Sequence, residues 1–228
     1  MTLYTQSFST CHARLLTSST PSAPLVWMNA HFEDPEAFIL FCRQNGCPDF
    51  HLLLVDDLDW NSDLTPWPAK ALFKGQPDFG GQADAYLAFA QSTLIPWAFT
   101  HVPHSSGTIA AGYSLGGLFS LYAITQTSLF TGAAAVSPSA WYPGLIPYLK
   151  EHPVSKGVKA VYLSLGDQEE KTRNPLMKTV RTSLESVEQI LKEEKVECIF
   201  QMNPGNHFQE SFQRCAKGLE WLLPLCIQ

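Results

Sequence analysis

The segment Thr108-Ile-Ala-Ala-Gly-Tyr-Ser-Leu-Gly-Gly-Leu118 decides how the rest of the chain is interpreted. An apolar run is interrupted by glycines and one serine, and apolar residues then return at helical spacing through Phe119 and Tyr122. This order predicts a strand, a tight turn and a helix. Within it, Gly112-x-Ser114-x-Gly116 has the pattern of a nucleophile elbow, in which a strained turn lifts the serine hydroxyl above the end of the strand.

Length and composition indicate one compact globular unit. The chain has 228 residues, 45% of them hydrophobic and 16% charged, so we expect a single domain spanning 1–228. No apolar run is long enough to suggest a membrane span. The net charge is −6 and basic residues do not cluster, which argues against a nucleic-acid partner and a membrane partner.

The beginning of the chain and the cysteines bear on the compartment. Residues 1–9 lack the basic start and the apolar core of an export signal, so we expect a cytoplasmic protein. The six cysteines show neither CxxC spacing nor neighbouring histidine pairs, which favours free thiols over zinc or disulfides. They are Cys11, Cys42, Cys47, Cys198, Cys215 and Cys226.

Strand-like and helix-like segments alternate from residue 25 onward. Short apolar runs at 25–28, 51–55, 132–136 and 158–165 are typical of parallel strands buried on both faces, and a last strand is expected at 196–202. Residues 3–16 alternate weakly and predict antiparallel edge strands. The expected fold is therefore α/β, with a mostly parallel central sheet and helices on both faces.

A long aromatic loop interrupts this rhythm at 56–81. Loops of this length in a compact domain are usually functional or disordered, and buried aromatic side chains argue against disorder. Because the loop follows a strand, it should lie at the carboxyl edge of the sheet, where open α/β folds bind ligands. We expect Trp60, Trp67 and Phe79, with Trp141 after a later strand, to line a substrate pocket. A purely structural flap is the alternative.

Three chemically suited residues follow the ends of different predicted strands. A serine hydroxyl needs a neighbouring imidazole as base, and the imidazole needs a carboxylate to fix its tautomer. Ser114 precedes an acidic cluster at 167–170, and His207 is the only one of seven histidines that follows both. The order Ser, acid, His is one that such triads adopt. The cluster leaves Asp167, Glu169 and Glu170 open as the acid.

Four segments resemble one branch of the α/β-hydrolases. They are Ala-Gly-Tyr-Ser-Leu-Gly-Gly at 111–117, Ser-Leu-Gly-Asp-Gln-Glu-Glu-Lys at 164–171, Pro-Gly-Asn-His-Phe-Gln-Glu at 204–210, and Asp-Trp-Asn with Leu-Thr-Pro-Trp-Pro at 59–68. The chain resembles the esterase branch that includes enterochelin-esterase-like proteins and esterase D, over nearly its whole length. The resemblance implies the α/β-hydrolase fold and an esterase activity.

The resemblance also implies roles for particular residues. In such enzymes the acid commonly stands three residues after the glycine that ends its strand, which here gives Glu169, with Asp167 as second choice. The oxyanion hole would use the N–H of Leu115 and a second N–H near Ala30 or His31. At that second position this chain has Asn-Ala-His where the branch more often has His-Gly or Asp-Gly.

The sequence thus predicts a serine hydrolase that cleaves carboxylic esters through an acyl-enzyme intermediate. Its expected partner is a small-molecule ester, and neither a metal nor an organic cofactor is implied; the oligomeric state is not predicted. An acyltransferase, a thioesterase or a peptidase could use the same triad, because fold and triad do not separate these activities. A catalytically inactive binding protein on the same scaffold is a further alternative.

Overall fold

A computed structural model describes residues 1–226 and contains one eight-stranded sheet. The strands, in chain order, are β1 Thr2–Ser7, β2 His12–Thr17, β3 Leu25–Asn29, β4 His51–Asp56, β5 Thr108–Tyr113, β6 Phe130–Val136, β7 Ala160–Gly166 and β8 Glu197–Asn203. Their order across the sheet is β1-β2-β4-β3-β5-β6-β7-β8. The first two strands pair antiparallel with each other, and β2 pairs antiparallel with β4. The remaining neighbours, from the β4–β3 pair across the sheet to the β7–β8 pair, are all parallel.

Helices cover both faces of this sheet. They are α1 Pro35–Gln44, α2 Trp60–Asp63, α3 Ala83–Phe89, α4 Ile95–His101, α5 Leu115–Gln126, α6 Leu145–Glu151, α7 Val180–Glu193 and α8 Ser211–Cys226. Buried residues of α1 and α8 join one apolar cluster, whereas those of α3 to α7 join the other. The predicted α/β fold with a mostly parallel sheet and helices on both faces is confirmed.

The apolar strands are explained by burial on both sides. In β3 every residue is buried, and its side chains alternate between the two clusters, with Leu25 and Trp27 on one side and Val26 and Met28 on the other. A parallel strand covered by helices on both faces needs apolar residues at every position. This is why the sequence reads as a continuous apolar run rather than as an alternating one.

Two helices differ from what the sequence predicts. Apolar residues at helical spacing over 82–98 predict one helix whose end is disturbed by Pro96. In the structure the disturbance is a wide π-turn at Ala90–Leu94, where the N–H of Ile95 donates to the carbonyl of Ala90, and it separates α3 from α4. Pro96 follows at once, and a proline cannot supply the regular helical hydrogen bond. The pair Asn174-Pro175 predicts the start of a long amphipathic helix that runs to about Lys195. The helix in the structure, α7, begins only at Val180 after a short 3₁₀ turn.

The aromatic loop at 56–81 is folded onto the carboxyl edge of the sheet. It contains the short helix α2 and a bridge that pairs Ala69 with Phe79. The Asn174 side chain donates a hydrogen bond to the carbonyl of Leu72 in this loop (3.0 Å), and its oxygen accepts from the next turn of backbone. Asn174 therefore joins the loop to the segment before α7 instead of capping that helix.

None of the helices within residues 1–226 combines the length and the hydrophobicity needed to cross a lipid bilayer.

The crossing of β3 and α5 provides a test of the packing. A Cβ added at Gly116 would overlap the carbonyl oxygen of Asn29, whereas one added at Gly157 would meet only ordinary contacts, the nearest at 3.6 Å. We expect Gly116→Ala to lower the free energy of unfolding by about 2 kcal/mol, since overpacking outweighs the helix propensity of alanine. Urea denaturation measures this.

Gly157→Ala is the matched control, and we expect its stability to lie within about 1 kcal/mol of the wild type. Equal stabilities for the two variants would contradict the close packing of β3 against α5.

Candidate active site

Ser114 occupies a sharp turn between β5 and α5. Its backbone has φ 60° and ψ −119°, a conformation that costs energy for any residue with a side chain. A Cβ at Gly112 would overlap the backbone of Gly116, so the strand and the helix approach each other closely on both sides of the serine. The carbonyl of Ser114 accepts hydrogen bonds from the N–H groups of Leu118 (3.1 Å) and Ser139 (3.0 Å). The surrounding structure thus holds the strained residue in place.

His207 connects Ser114 to an acidic residue. Its Nε2 lies 3.0 Å from the Ser114 Oγ, and its Nδ1 lies 2.7 Å from the Glu169 Oε2. The ring is 27% exposed, whereas the Glu169 side chain is 5% exposed. The serine is half-buried at the floor of a cleft. Three residues that are far apart in sequence therefore form one chain of hydrogen bonds at the carboxyl edge of the sheet.

The three acidic candidates have different surroundings. Only Glu169 contacts His207. Asp167 is exposed, and its Oδ1 accepts hydrogen bonds from the Gly205 N–H (3.0 Å) and from the Gln168 amide (2.9 Å). Glu170 forms an ion pair with Arg181 at 3.2 Å. Asp167 therefore fastens the loop that carries the histidine without reaching its ring.

The environment of Glu169 favours the ionised carboxylate. Burial by itself would raise the pKa of Glu169, but the hydrogen bond and the charge of His207, together with the Gly166 N–H, outweigh it and hold that pKa below its ordinary value. The Gly166 N–H donates to Oε1 at 2.7 Å. The residue is therefore a charged partner for the imidazole at neutral pH.

Arg214 is a buried cation in contact with Glu169, and the sequence does not reveal it. Its side chain is 0% exposed, and its NH1 donates to the Glu169 Oε1 at 2.8 Å and to the Ser137 Oγ at 3.1 Å. Its NH2 donates to the carbonyls of Pro204 (2.8 Å) and Asn206 (3.0 Å). In the sequence it is one arginine near the start of a helix, and such residues are almost always solvated. Nothing in the periodicity distinguishes it from them.

Tyr113 is a second contact that the sequence does not reveal. Its hydroxyl donates to the backbone carbonyl of His207 at 2.7 Å, and its ring lies against the imidazole with 5.2 Å between centroids. Because Tyr113 precedes Ser114 directly, the same strand end positions the serine and the histidine backbone.

The segment after β3 lies against the elbow, as the oxyanion-hole hypothesis requires. The Asn29 side chain accepts a hydrogen bond from the buried Tyr86 hydroxyl (2.8 Å), and its carbonyl abuts Gly116. Ala30 is buried, His31 is exposed, and both line a cavity that reaches Ser114. Leu115 is the first residue of α5 and lines a different cavity that also reaches Ser114.

Two cavities meet at the serine. The first has a volume of about 450 Å³, the second about 340 Å³, and Ser114, His207 and Phe208 line both. The apolar walls of the first cavity are Leu72, Phe79, Trp141, Met177 and Val180. The second is lined by Ala30, His31, Phe32, Trp60, Tyr113 and Ser211.

The aromatic residues expected in one pocket are therefore divided. Phe79 and Trp141 belong to the first cavity and Trp60 to the second. Trp67 lines neither cavity, which corrects the prediction for this residue. Its indole N–H donates to the Pro143 carbonyl at 2.8 Å and its ring packs on Tyr142 and Tyr148. Trp67 therefore anchors the 56–81 loop to the segment at 142–148.

The chain is similar to one protein in sequence and to two others in fold. The chain is 29% identical over 191 residues to "Uncharacterized protein YbbA" of Bacillus subtilis (strain 168), covering 79% of this chain and 76% of that protein. An IroE-like serine hydrolase from Shewanella oneidensis superposes with a TM-score of 0.80 at 17% identity, over 98% of this chain and 80% of the other. The siderophore hydrolase EstB from Aspergillus nidulans gives a TM-score of 0.69 at 16% identity, over 98% and 95%.

A family model covers most of the chain. The model described as "Putative esterase" matches residues 34–214, which include the elbow, the acidic loop and His207. Together with the eight-stranded sheet, this match establishes that the chain belongs to the "Putative esterase" family and has the α/β-hydrolase fold.

Proposed function

We propose that the protein hydrolyses carboxylic esters with Ser114 as nucleophile, His207 as general base and Glu169 as the acid that orients the histidine. The observation that carries the proposal is the continuous pair of contacts from Ser114 Oγ to His207 Nε2 (3.0 Å) and from His207 Nδ1 to Glu169 Oε2 (2.7 Å). Both distances lie within the reach needed for proton transfer and orientation. Membership of an esterase family agrees with this chemistry.

The acylation step follows from these contacts. His207 Nε2 accepts the Ser114 proton while Oγ forms a bond to the carbonyl carbon of the ester, which gives a tetrahedral intermediate. Collapse of the intermediate breaks the bond to the alcohol oxygen, and the imidazolium returns the proton to that oxygen. An acyl-enzyme remains on Ser114. Water then attacks it by the same route, which releases the acid and restores the serine.

Two charges that develop during the proposed reaction need stabilisation, one on the oxyanion and one on the imidazolium. The oxyanion is proposed to accept hydrogen bonds from the N–H of Leu115, at the start of α5, and from an N–H at Ala30 or His31. The first donor also lies at the positive end of the helix dipole. Glu169 stabilises the imidazolium that forms when Ser114 is deprotonated, and its lowered pKa keeps it charged for that purpose.

The substrate is proposed to be a small-molecule ester. Each cavity beside Ser114 has a volume in the range of small-molecule sites, and EstB, a fold neighbour, is a siderophore hydrolase. A cytoplasmic location is also proposed. The six cysteines are all unpaired thiols, five of them buried, as in proteins of a reducing compartment.

Removal of the nucleophile or the base tests the proposal. We expect Ser114→Ala and His207→Ala each to lower kcat/KM for p-nitrophenyl acetate by roughly 10⁴-fold or more, because triad members act as a unit. Initial rates under substrate-limited conditions give the measurement. Ser128→Ala and His104→Ala change exposed residues of the same types and should keep wild-type rates. A Ser114→Ala enzyme with more than a tenth of wild-type turnover would exclude the proposed nucleophile.

The choice of acid has its own test. We expect Glu169→Gln to lower kcat by roughly 10³- to 10⁴-fold, since a neutral amide neither fixes the tautomer of His207 nor stabilises its cation. Asp167→Asn removes a charge from the same loop and serves as the matched control, with kcat expected within a fewfold of wild type. If Asp167→Asn were inactive and Glu169→Gln active, Asp167 would have to be the acid.

A further inference from the structure

The two cavities meet at Ser114 and are otherwise built from different parts of the chain. The first is walled by the 56–81 loop, by Trp141 and by the segment around Met177. The second lies between the end of β3, the short helix α2 and the start of α8. An ester whose carbonyl carbon is bound at Ser114 must place its acyl group and its alcohol group on different sides of that point. Each cavity is thus placed to receive one of the two groups.

The walls contain no fixed positive charge. Over residues 1–226, neither cavity is lined by a lysine or an arginine. The buried Arg214 donates its hydrogen bonds to Glu169, to hydroxyl groups and to backbone carbonyls. Among the described residues that line the cavities, Glu169 is the one carboxylate, and it is held by Arg214 and His207. With a net charge of −6 on the whole chain, an anionic substituent would lose its hydration without gaining a counter-charge.

We propose that the natural substrate is an uncharged ester with a bulky apolar group on each side of the scissile bond, one group held in each cavity. This inference rests on the proposed function and specifies its substrate class. Phe208 supports it: this side chain is 91% exposed, directly follows His207 and lies on the rim of both cavities. An apolar substrate that fills the two cavities would cover part of that exposed ring.

A panel of four uncharged esters measures the two groups separately. Methyl acetate has neither bulky group, methyl phenylacetate has the acyl group, benzyl acetate has the alcohol group, and benzyl phenylacetate has both. Each kcat/KM is divided by the rate of hydroxide-catalysed hydrolysis of the same ester. We expect each bulky group to raise the corrected value at least tenfold, and both together to raise it by about the product, because separate cavities contribute independently.

Variants then assign the cavities. Trp141→Ala should remove most of the gain from one bulky group, and Trp60→Ala most of the gain from the other. Trp97→Ala is the matched control, since Trp97 packs on Phe8 and lines neither cavity. A ring carboxylate added to either half of benzyl phenylacetate should lower kcat/KM at least tenfold.

Three results would overturn the inference. In the first, the second bulky group does not raise the corrected kcat/KM. In the second, Trp141→Ala and Trp60→Ala both remove the gain from the same group. In the third, the carboxylated esters have a higher kcat/KM than benzyl phenylacetate. Failure here is distinguishable from failure of the proposed function. Hydrolysis of methyl acetate that depends on Ser114, without any gain from bulk, would refute only the substrate class, whereas no hydrolysis of any ester would refute the function itself.

The buried guanidinium of Arg214 carries a second, independent inference. Glu169 has two carboxylate oxygens, and only Oε2 contacts His207. Oε1 accepts from the Arg214 NH1 at 2.8 Å and from the Gly166 N–H at 2.7 Å. We infer that Arg214 is a positioning residue, which fixes one carboxylate oxygen so that the other faces the histidine. Its charge-assisted hydrogen bond in a buried setting suits that role.

Arg214→Lys tests this role, because lysine keeps the charge and loses the forked geometry. We expect kcat for p-nitrophenyl acetate to fall at least tenfold with KM within about twofold, and the far-downfield proton resonance of the His207–Glu169 hydrogen bond to shift or disappear. Arg43→Lys, which alters an ion pair with Asp49, is the control. A folded Arg214→Lys protein with wild-type kcat and an unchanged resonance would contradict the inference.

A double variant keeps the test decisive if the single variant does not fold. Replacing both members of a buried ion pair is tolerated better than replacing one. If Arg214 acts through Glu169, the Glu169→Gln/Arg214→Met protein should have the same kcat as Glu169→Gln alone. A further tenfold loss in the double variant would show that Arg214 acts by another route.

Discussion

The close approach of β5 and α5 at Ser114 is the constraint on which the site depends. A serine at φ 60° is unfavourable, and the turn forms only because the glycines on both sides let backbone meet backbone. Burial of apolar side chains in β5 and α5, whose residues are almost all buried, offsets the cost of this conformation. The result is a hydroxyl held rigidly at the edge of the sheet, where the loops after the other strands can reach it.

A buried charge organises what surrounds that hydroxyl. Glu169 is nearly inaccessible, yet it remains ionised because His207, the Gly166 N–H and the Arg214 guanidinium contact its two oxygens. The same guanidinium binds the carbonyls of the turn that leads to His207. One cation therefore holds both Glu169 and the turn that leads to His207. In the proposed hydrolysis, these contacts hold the charged groups in place before a substrate binds, as electrostatic preorganisation requires.

The sequence was sufficient for those features that depend on local pattern and on chain order. Apolar runs and glycine spacing predict the parallel sheet and the elbow, and strand ends gather the loops that carry Ser114, Glu169 and His207. It was insufficient where a contact depends on three-dimensional packing. Arg214 has no sequence signal, because the backbone carbonyls that accept its hydrogen bonds are brought to it only by the fold. Trp67 lies in an aromatic loop and was therefore expected in the pocket, but its indole N–H donates to the Pro143 carbonyl instead.

The proposed chemistry requires that His207 makes one serine hydroxyl of this chain nucleophilic. Treatment of the folded protein with a fluorophosphonate, followed by peptide mapping with mass spectrometry, identifies that serine. We expect one adduct per chain, located on Ser114, and no adduct on the His207→Ala protein. An adduct on a different serine, or an unmodified folded wild-type protein, would contradict it.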